Sequence, residues 1–336
     1  ESRLQVARVV LDAELIELRD AIAERVTART GVPTMRANVL VTPGGQAGLF
    51  AAHIATCEPG AAALFVDPYY DTYTGTLRGA GARAVPVQAS AAKGFRPRAE
   101  DIARAARETG AKSLLINTPN NPTGAVYGRE TLAPIAEVCR ANDMWLISDE
   151  VYDTQVWEGT HLSPRALPDM TKRTLVVGSM SKSHAMTGSR IGWIVGPEEA
   201  IAHLANLSTH TTYGVPGYIQ DAALYALNRG AALEGEIAAP FRRRRAIAER
   251  VVNGSNAVAL VTPQGAMYAM LDIRATGLSG QDFAFALLKA EKIAVMPGES
   301  FGRAAAGNLR VALTVADDAL EEALTRLVRF AERTCP

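Results

Sequence analysis

Residues 174–193 read Thr174-Leu175-Val176-Val177-Gly178-Ser179-Met180-Ser181-Lys182-Ser183-His184-Ala185-Met186-Thr187-Gly188-Ser189-Arg190-Ile191-Gly192-Trp193. The apolar run Thr174-Leu175-Val176-Val177 reads as a buried strand. Lys182 then lies just past the carboxyl end of that strand, where open α/β sheets place their ligands. Small hydroxyls before the lysine and Arg190 after it suit a phosphorylated molecule held covalently through the amine. Lysine serves such chemistry because burial and neighbouring cations free its amine for Schiff-base formation.

Similar runs recur on both sides. Strands are expected at residues 38–42, 62–66, 82–87, 112–117, 144–148, 175–178 and 191–195, with helices at 45–57, 99–109 and 129–141. Such alternation implies a largely parallel sheet covered on both faces. After about Gly214 the pattern changes. Helical stretches at 219–228 and 232–253, broken near Gly235 and Pro240, lead to a segment at 265–273, a helix at 281–290, strands at 293–296 and 309–313, and a last helix at 317–333. The expected division is a large domain of residues 11–237 and a smaller α+β domain of residues 1–10 and 238–336.

The 336 residues are 48 % apolar, enough for a sizeable core. Thirty-five basic and 35 acidic residues leave no net charge, which argues against nucleic-acid or membrane-surface partners. The run Arg242-Arg243-Arg244-Arg245 reads as the solvated face of a long helix. Cys57, Cys139 and Cys335 are few and far apart, so neither a disulfide framework nor a zinc site is expected. No apolar run approaches the roughly 20 residues that cross a bilayer, and Glu1-Ser2-Arg3-Leu4-Gln5 lacks a signal-peptide core. A cytoplasmic protein is expected.

Five motifs follow in order: Asn117-Thr118-Pro119-Asn120-Asn121-Pro122-Thr123-Gly124, Ser148-Asp149-Glu150-Val151-Tyr152, Ser179-Met180-Ser181-Lys182, Gly188-Ser189-Arg190-Ile191-Gly192-Trp193 and Asn308-Leu309-Arg310-Val311. Together, from about Leu11 onward, the chain resembles the class I/II aminotransferases, fold-type-I enzymes that use pyridoxal 5′-phosphate (PLP). The resemblance implies an α/β fold, with a mostly parallel seven-stranded sheet sandwiched by helices in the large domain.

By this resemblance Lys182 carries PLP as a Schiff base and then moves the proton between the substrate Cα and the cofactor. Asp149 meets the pyridinium nitrogen; on its residues alone it also reads as a helix cap. Tyr152 and Asn121 hydrogen-bond the phenolic oxygen, although Asn121 is equally a turn residue. Gly45, Gln46, Ser179, Ser181 and Arg190 form the phosphate site, because backbone N–H groups at a helix start cradle an anion. Tyr70 stacks on the ring, with Tyr69 as the competing choice. Arg310, with Asn121 as a second substrate-binding residue, receives the substrate α-carboxylate, which a planar guanidinium meets with two parallel hydrogen bonds. Cis bonds are expected at Asn121–Pro122 and Asp67–Pro68. No metal is expected.

Two departures stand out. Ser189 occupies a position where most relatives have tryptophan. Relatives also carry roughly fifty more residues before the helix that begins near Leu15, so a missing stretch is expected between Val10 and Leu11.

The implied reaction is ping-pong transamination between an L-amino acid and a 2-oxo acid. The likeness is greatest to bacterial arginine–pyruvate transaminases, then to aspartate transaminases. Arginine with pyruvate is the leading pair, with Tyr213 and Asp71 as pocket candidates. The alternatives are a PLP-dependent C–S β-lyase and a non-catalytic PLP-binding regulatory module. A homodimer with shared active sites is expected.

Overall fold

The computed structural model describes residues 15–335. The expected interruption at Val10–Leu11 and the assignment of residues 1–10 lie outside the described residues.

Strands β1 (Val39–Thr42), β2 (Ala62–Asp67), β3 (Arg83–Gln88), β4 (Ser113–Asn117), β5 (Trp145–Asp149), β6 (Thr174–Ser179) and β7 (Gly192–Val195) form one sheet in the order β1-β7-β6-β5-β4-β2-β3. Pairings are parallel except those of β7, which runs against both β1 and β6. Most of these strands are buried along their whole length, as expected of a sheet covered on both faces. The edge strand β3 is the exception; it is largely exposed and carries Pro86, whose missing N–H an edge tolerates.

Alternate side chains sort to opposite faces. Phe65, Leu115, Ile147 and Val177 pack with Leu49 of α2 (Gly45–Thr56), Leu77 of α3 (Tyr73–Gly79) and Leu204 of α7 (Glu198–Thr209). On the other face Leu64, Leu114, Ile116 and Leu146 meet Ile102 of α4 (Ala99–Thr109) and Leu132 and Ile135 of α5 (Arg129–Ala141). Val176, Trp193 and Val195 meet Leu18 and Ile22 of α1 (Ile16–Thr30). A one-turn helix, α6 (Met180–Ser183), follows β6 directly, and α8 (Gly217–Leu227) packs beside α1. Helices α3 and α7 were not expected from sequence.

Helix α9 (Gly230–Val252) corrects the expected break near Gly235 and Pro240, because it runs through both. A helix-interior proline forfeits one backbone hydrogen bond. Tertiary contacts on each side of Pro240 offset that loss. Before it, Glu234 pairs with Arg25 and Arg29 of α1. After it, Ala248 and Val252 enter the second core. The proposed division at 237/238 therefore falls inside one unbroken helix.

The arginine run is more committed than a solvated face. Arg243 and Arg244 pair with Asp317, Arg245 pairs with Glu158 and Glu249, and Arg242 lies over Trp157.

The second sheet, β10-β11-β9-β8, is antiparallel, with β8 (Ala259–Val261), β9 (Tyr268–Asp272), β10 (Met296–Pro297) and β11 (Asn308–Ala312). It packs against α9, α10 (Gly280–Glu291) and α11 (Asp317–Thr334) through Leu271, Phe283, Leu309 and Leu324. The strand expected at 293–296 shrinks to the two residues of β10.

Gly178 shows how tightly the strand before Lys182 is packed. A Cβ built there would lie 2.3 Å from the Trp193 indole nitrogen. Overpacking of this kind costs about 1–3 kcal/mol. Gly178→Ala is therefore expected to lower the thermal unfolding midpoint, whereas Gly188→Ala, with open space around it, leaves it near the parent value. Equal midpoints for the two variants would contradict this packing.

Candidate functional site

The carboxyl ends of β4, β5 and β6 converge with the start of α2 on a cavity of about 180 Å³. It is lined by Asp149 and Tyr152 from the end of β5, Ser179, Ser181 and Lys182 from the end of β6, and Gly45 and Gln46 from α2. Asn121, Tyr70 and Arg190 complete the set of sequence candidates at its wall. Arg310 stands just behind, donating from Nη1 to Asn121 Oδ1 at 3.0 Å. Tyr69 instead packs edge-on against Phe65. Tyr213 and Asp71 do not line the cavity.

Local geometry explains the convergence. Asp149 is the last residue of β5 rather than the one after it. Asn117 ends β4; its Nδ2 donates to the Asp149 carbonyl at 2.9 Å, and its Oδ1 accepts from Asn121 N at 2.7 Å. That pair fixes the Asn-Pro segment against β5. The peptides Asp67–Pro68 and Asn121–Pro122 are cis, as expected, and Thr118–Pro119 is cis as well. Gly124 sits at φ +70°, where a Cβ would lie 2.4 Å from Pro263, so glycine alone suits that turn.

At one end of the cavity α2 begins with Gly44 as its N-cap and no side-chain cap, leaving its first N–H groups for another acceptor. Arg190 lies against this turn; a Cβ on Gly44 would sit 2.5 Å from its Nη2. The Ser179 and Ser181 hydroxyls are 3.0 Å apart nearby. Gln46 ties its side chain to Thr76 and Thr72 of the α3 region and so contributes here through its backbone.

Near the β5 end, Asp149 is 4 % exposed. Burial is the largest influence on its carboxyl and pushes its pKa up to about 6. The Tyr73 hydroxyl, the Val151 N–H and the Lys182 cation pull the other way, and Glu150 adds to the rise. The Lys182 amine has no hydrogen-bond or ion-pair partner among the described residues. Tyr152 Oη lies 3.4 Å from Tyr268 Oη, and the two rings meet edge to face.

Arg310 is held between two aromatic faces, its guanidinium carbon 4.4 Å from the ring centres of both Tyr268 and Phe301. Its Nε is buried without a partner. Such an orphaned donor costs free energy until an acceptor arrives.

Two tyrosines in the cavity lining escaped the sequence reading. Tyr73 donates to Asp149 Oδ2 at 2.6 Å, and Tyr268 bridges Tyr152 and Arg310. Tyr73 stands three positions after Tyr70, a helical spacing that could have placed both on one wall. Tyr268 in β9 had no signal beyond a strand residue.

Larger hollows exist elsewhere. One of about 370 Å³ contains Glu150, Asp153 and Glu234, but each of these acids is already paired, with His161, Arg25 or Arg29. An open groove of about 1460 Å³ runs along β3 and the second sheet. Neither brings a free amine against a buried carboxylate that lacks a cation.

The smaller cavity fits PLP on its donor set: a buried anion for a cationic ring nitrogen, aromatic walls for a flat ring, an unpaired amine for an aldehyde, and a helix start with serines and an arginine for a phosphate.

A match to the family "Aminotransferase class I and II" spans residues 5–327. The chain is 41 % identical over 314 residues to an arginine–pyruvate transaminase of Pseudomonas aeruginosa, covering 94 % of this chain and 80 % of that one. It is 36 % identical to an aspartate/prephenate aminotransferase of Thermus thermophilus, covering 96 % and 82 %. The crystal structure of an aromatic aminotransferase from Pyrococcus horikoshii superposes with a TM-score of 0.91 at 31 % identity, covering 95 % of this chain and 86 % of that one.

The raised Asp149 pKa has a sign that can be tested in the cofactor-free protein. The folded state binds this proton more tightly than the unfolded chain. Stability contributed by the neutral carboxyl is thus lost as pH rises from about 4 to about 6. Asp149→Asn is expected to unfold at higher denaturant than the parent above pH 6, by up to about 3 kcal/mol, with the gap closing near pH 4. A gap that does not depend on pH would contradict the assignment.

Proposed function

This chain belongs to the class I and II aminotransferases, enzymes that depend on PLP, and from that premise we propose how its residues divide the work. Lys182 would hold the cofactor through its amine and would take the proton from the substrate Cα onto that amine. Asp149 receives the ring nitrogen, Tyr70 covers the ring, and Asn121 with Tyr152 meets the phenolic oxygen. The N–H groups of Gly45 and Gln46, the hydroxyls of Ser179 and Ser181, and Arg190 hold the phosphate. PLP, when bound, supplies the sink for the electron pair left as the Cα–H bond breaks. Arg310 takes the substrate α-carboxylate, its fork pre-set by Tyr268, Phe301 and Asn121. In the first half-reaction the donor leaves as its 2-oxo acid; in the second an acceptor 2-oxo acid takes up the amino group.

One observation carries this reading. Asp149 and Lys182 line one cavity, the carboxylate buried and neither group in an ion pair among the described residues.

For the substrate pair we propose arginine as donor and pyruvate as acceptor, supported by the 41 % identity to an arginine–pyruvate transaminase. Asp149 is the one acidic side chain lining the cavity among the described residues. The acceptor for a guanidinium therefore comes from outside this wall, and a second subunit is the source that we propose. The exposed side chains of Tyr213, Tyr218 and Tyr225, and of Phe50 and Ile54 on α2, support a homodimer with shared sites. Buried, unpaired Cys57 and Cys139 support a cytoplasmic setting.

Single-turnover half-reactions of the PLP-loaded protein against a panel of amino acids test the pair. L-Arginine is expected to discharge the cofactor's absorbance fastest, and pyruvate to restore it; aspartate faster than arginine would overturn the assignment. Arg310→Ala is expected to lower kcat/KM for every donor by about 10–100-fold, mainly through KM, as loss of a charge-assisted pair should. An unchanged KM would remove Arg310 from the carboxylate site.

A further inference from the structure

The two oxygens of Asp149 are committed unequally. Oδ2 accepts from Tyr73 Oη at 2.6 Å, whereas Oδ1 accepts from the Val151 N–H at a long 3.3 Å. An ionised carboxylate offers about four acceptor directions, so Oδ1 retains capacity for one strong donor from the cavity.

Tyr73 is built to stay where it is. It opens α3, is 3 % exposed, and packs edge to face on Tyr70 with ring centres 5.8 Å apart. The helix is tied to α2 by the Gln46–Thr76 and Gln46–Thr72 hydrogen bonds. Burial, and then the Asp149 charge, hold the Tyr73 phenol far above the usual range, so the hydroxyl keeps its proton and donates it. The other titratable groups around Asp149 are Tyr70, Tyr152, Glu150 and Lys182. Glu150 is itself engaged by His161 and Ser163.

We propose that Tyr73 is a positioning residue for the cofactor: by donating to Oδ2 it keeps the Asp149 carboxylate charged and turned so that Oδ1 meets the ring nitrogen. This rests on the reading of Asp149 as the partner of that nitrogen. Removing the hydroxyl leaves the fold and the ring packing in place but lets the buried carboxyl recapture its proton at higher pH. The consequence is a pH-dependent loss of cofactor affinity, which a purely structural role does not produce.

The test measures PLP dissociation constants of the parent, Tyr73→Phe, Asp149→Asn and the double variant from about pH 5.5 to 8.5, alongside their thermal unfolding. Tyr73→Phe is expected to bind PLP about tenfold more weakly near pH 6, with the midpoint of its affinity–pH profile moved up by about one unit. In the Asp149→Asn background the same change should alter affinity by no more than about twofold. An unmoved profile, or an equal loss in both backgrounds, overturns the proposal. If Asp149→Asn alone binds as the parent does, the reading of Asp149 fails and Tyr73's role falls with it. Should Tyr73→Phe not fold, 3-fluorotyrosine at position 73 keeps the packing and strengthens the donor; the midpoint must then move down, and an unmoved midpoint overturns the proposal.

Discussion

A carboxylate taken out of water without an ion-pair partner is among the most expensive groups a fold can carry, and Asp149, with only the more distant charge of Lys182 across the cavity, is such a group. The sheet places it. Asp149 pairs in register with Asn117, the last residue of β4, and with Val177 of β6, so β4 and β5 end together while β6 runs on to Ser179. Tyr73 and the Val151 N–H offset part of the cost. The remainder is an interaction left for a ligand in the cavity that the other candidates line. The free amine of Lys182 stands across the same space because β6 ends one turn of helix before it.

The second unit reaches the cavity through a few contacts. Tyr268 forms part of the wall, and Arg310 reaches Asn121 from β11. Asp67, at the end of β2, accepts from the backbone of Arg303 and Ala304, and Tyr69 N donates to the Phe301 carbonyl. Gly302, at φ +111°, lets that loop approach; a Cβ there would collide with Asp67. The residue covering one face of Arg310 thus belongs to the loop anchored on the large sheet. Anchoring and substrate recognition share one piece of chain.

Much of this was legible in the sequence, for identifiable reasons. Helices α4 and α5 begin and end where expected because each has a clear apolar stripe and a break after it, Gly110 for α4 and Asn142 for α5. The motif residues Asp149, Lys182 and Asn121 gather at one cavity because the carboxyl ends of parallel strands lie on one edge, and Arg190 joins them because the antiparallel β7 starts at that edge. Helix α3 was not legible: Tyr73-Thr74-Gly75-Thr76 has poor helix propensity, and burial of Tyr73 and Leu77 holds it in place. The continuity of α9 through Pro240 was hidden as well, since Glu234 finds Arg25 and Arg29 some two hundred residues earlier. Nor could periodicity show that Arg243 and Arg244 would share Asp317. Such long-range partners leave no trace in local spacing.

The most direct measurement is a crystal structure of this protein with PLP. Electron density is expected to run unbroken from the cofactor's aldehyde carbon to Lys182 Nζ, with the ring nitrogen within hydrogen-bonding distance of Asp149 Oδ1. A ring turned so that its nitrogen faces away from Asp149, or a cofactor joined to another lysine, would contradict it.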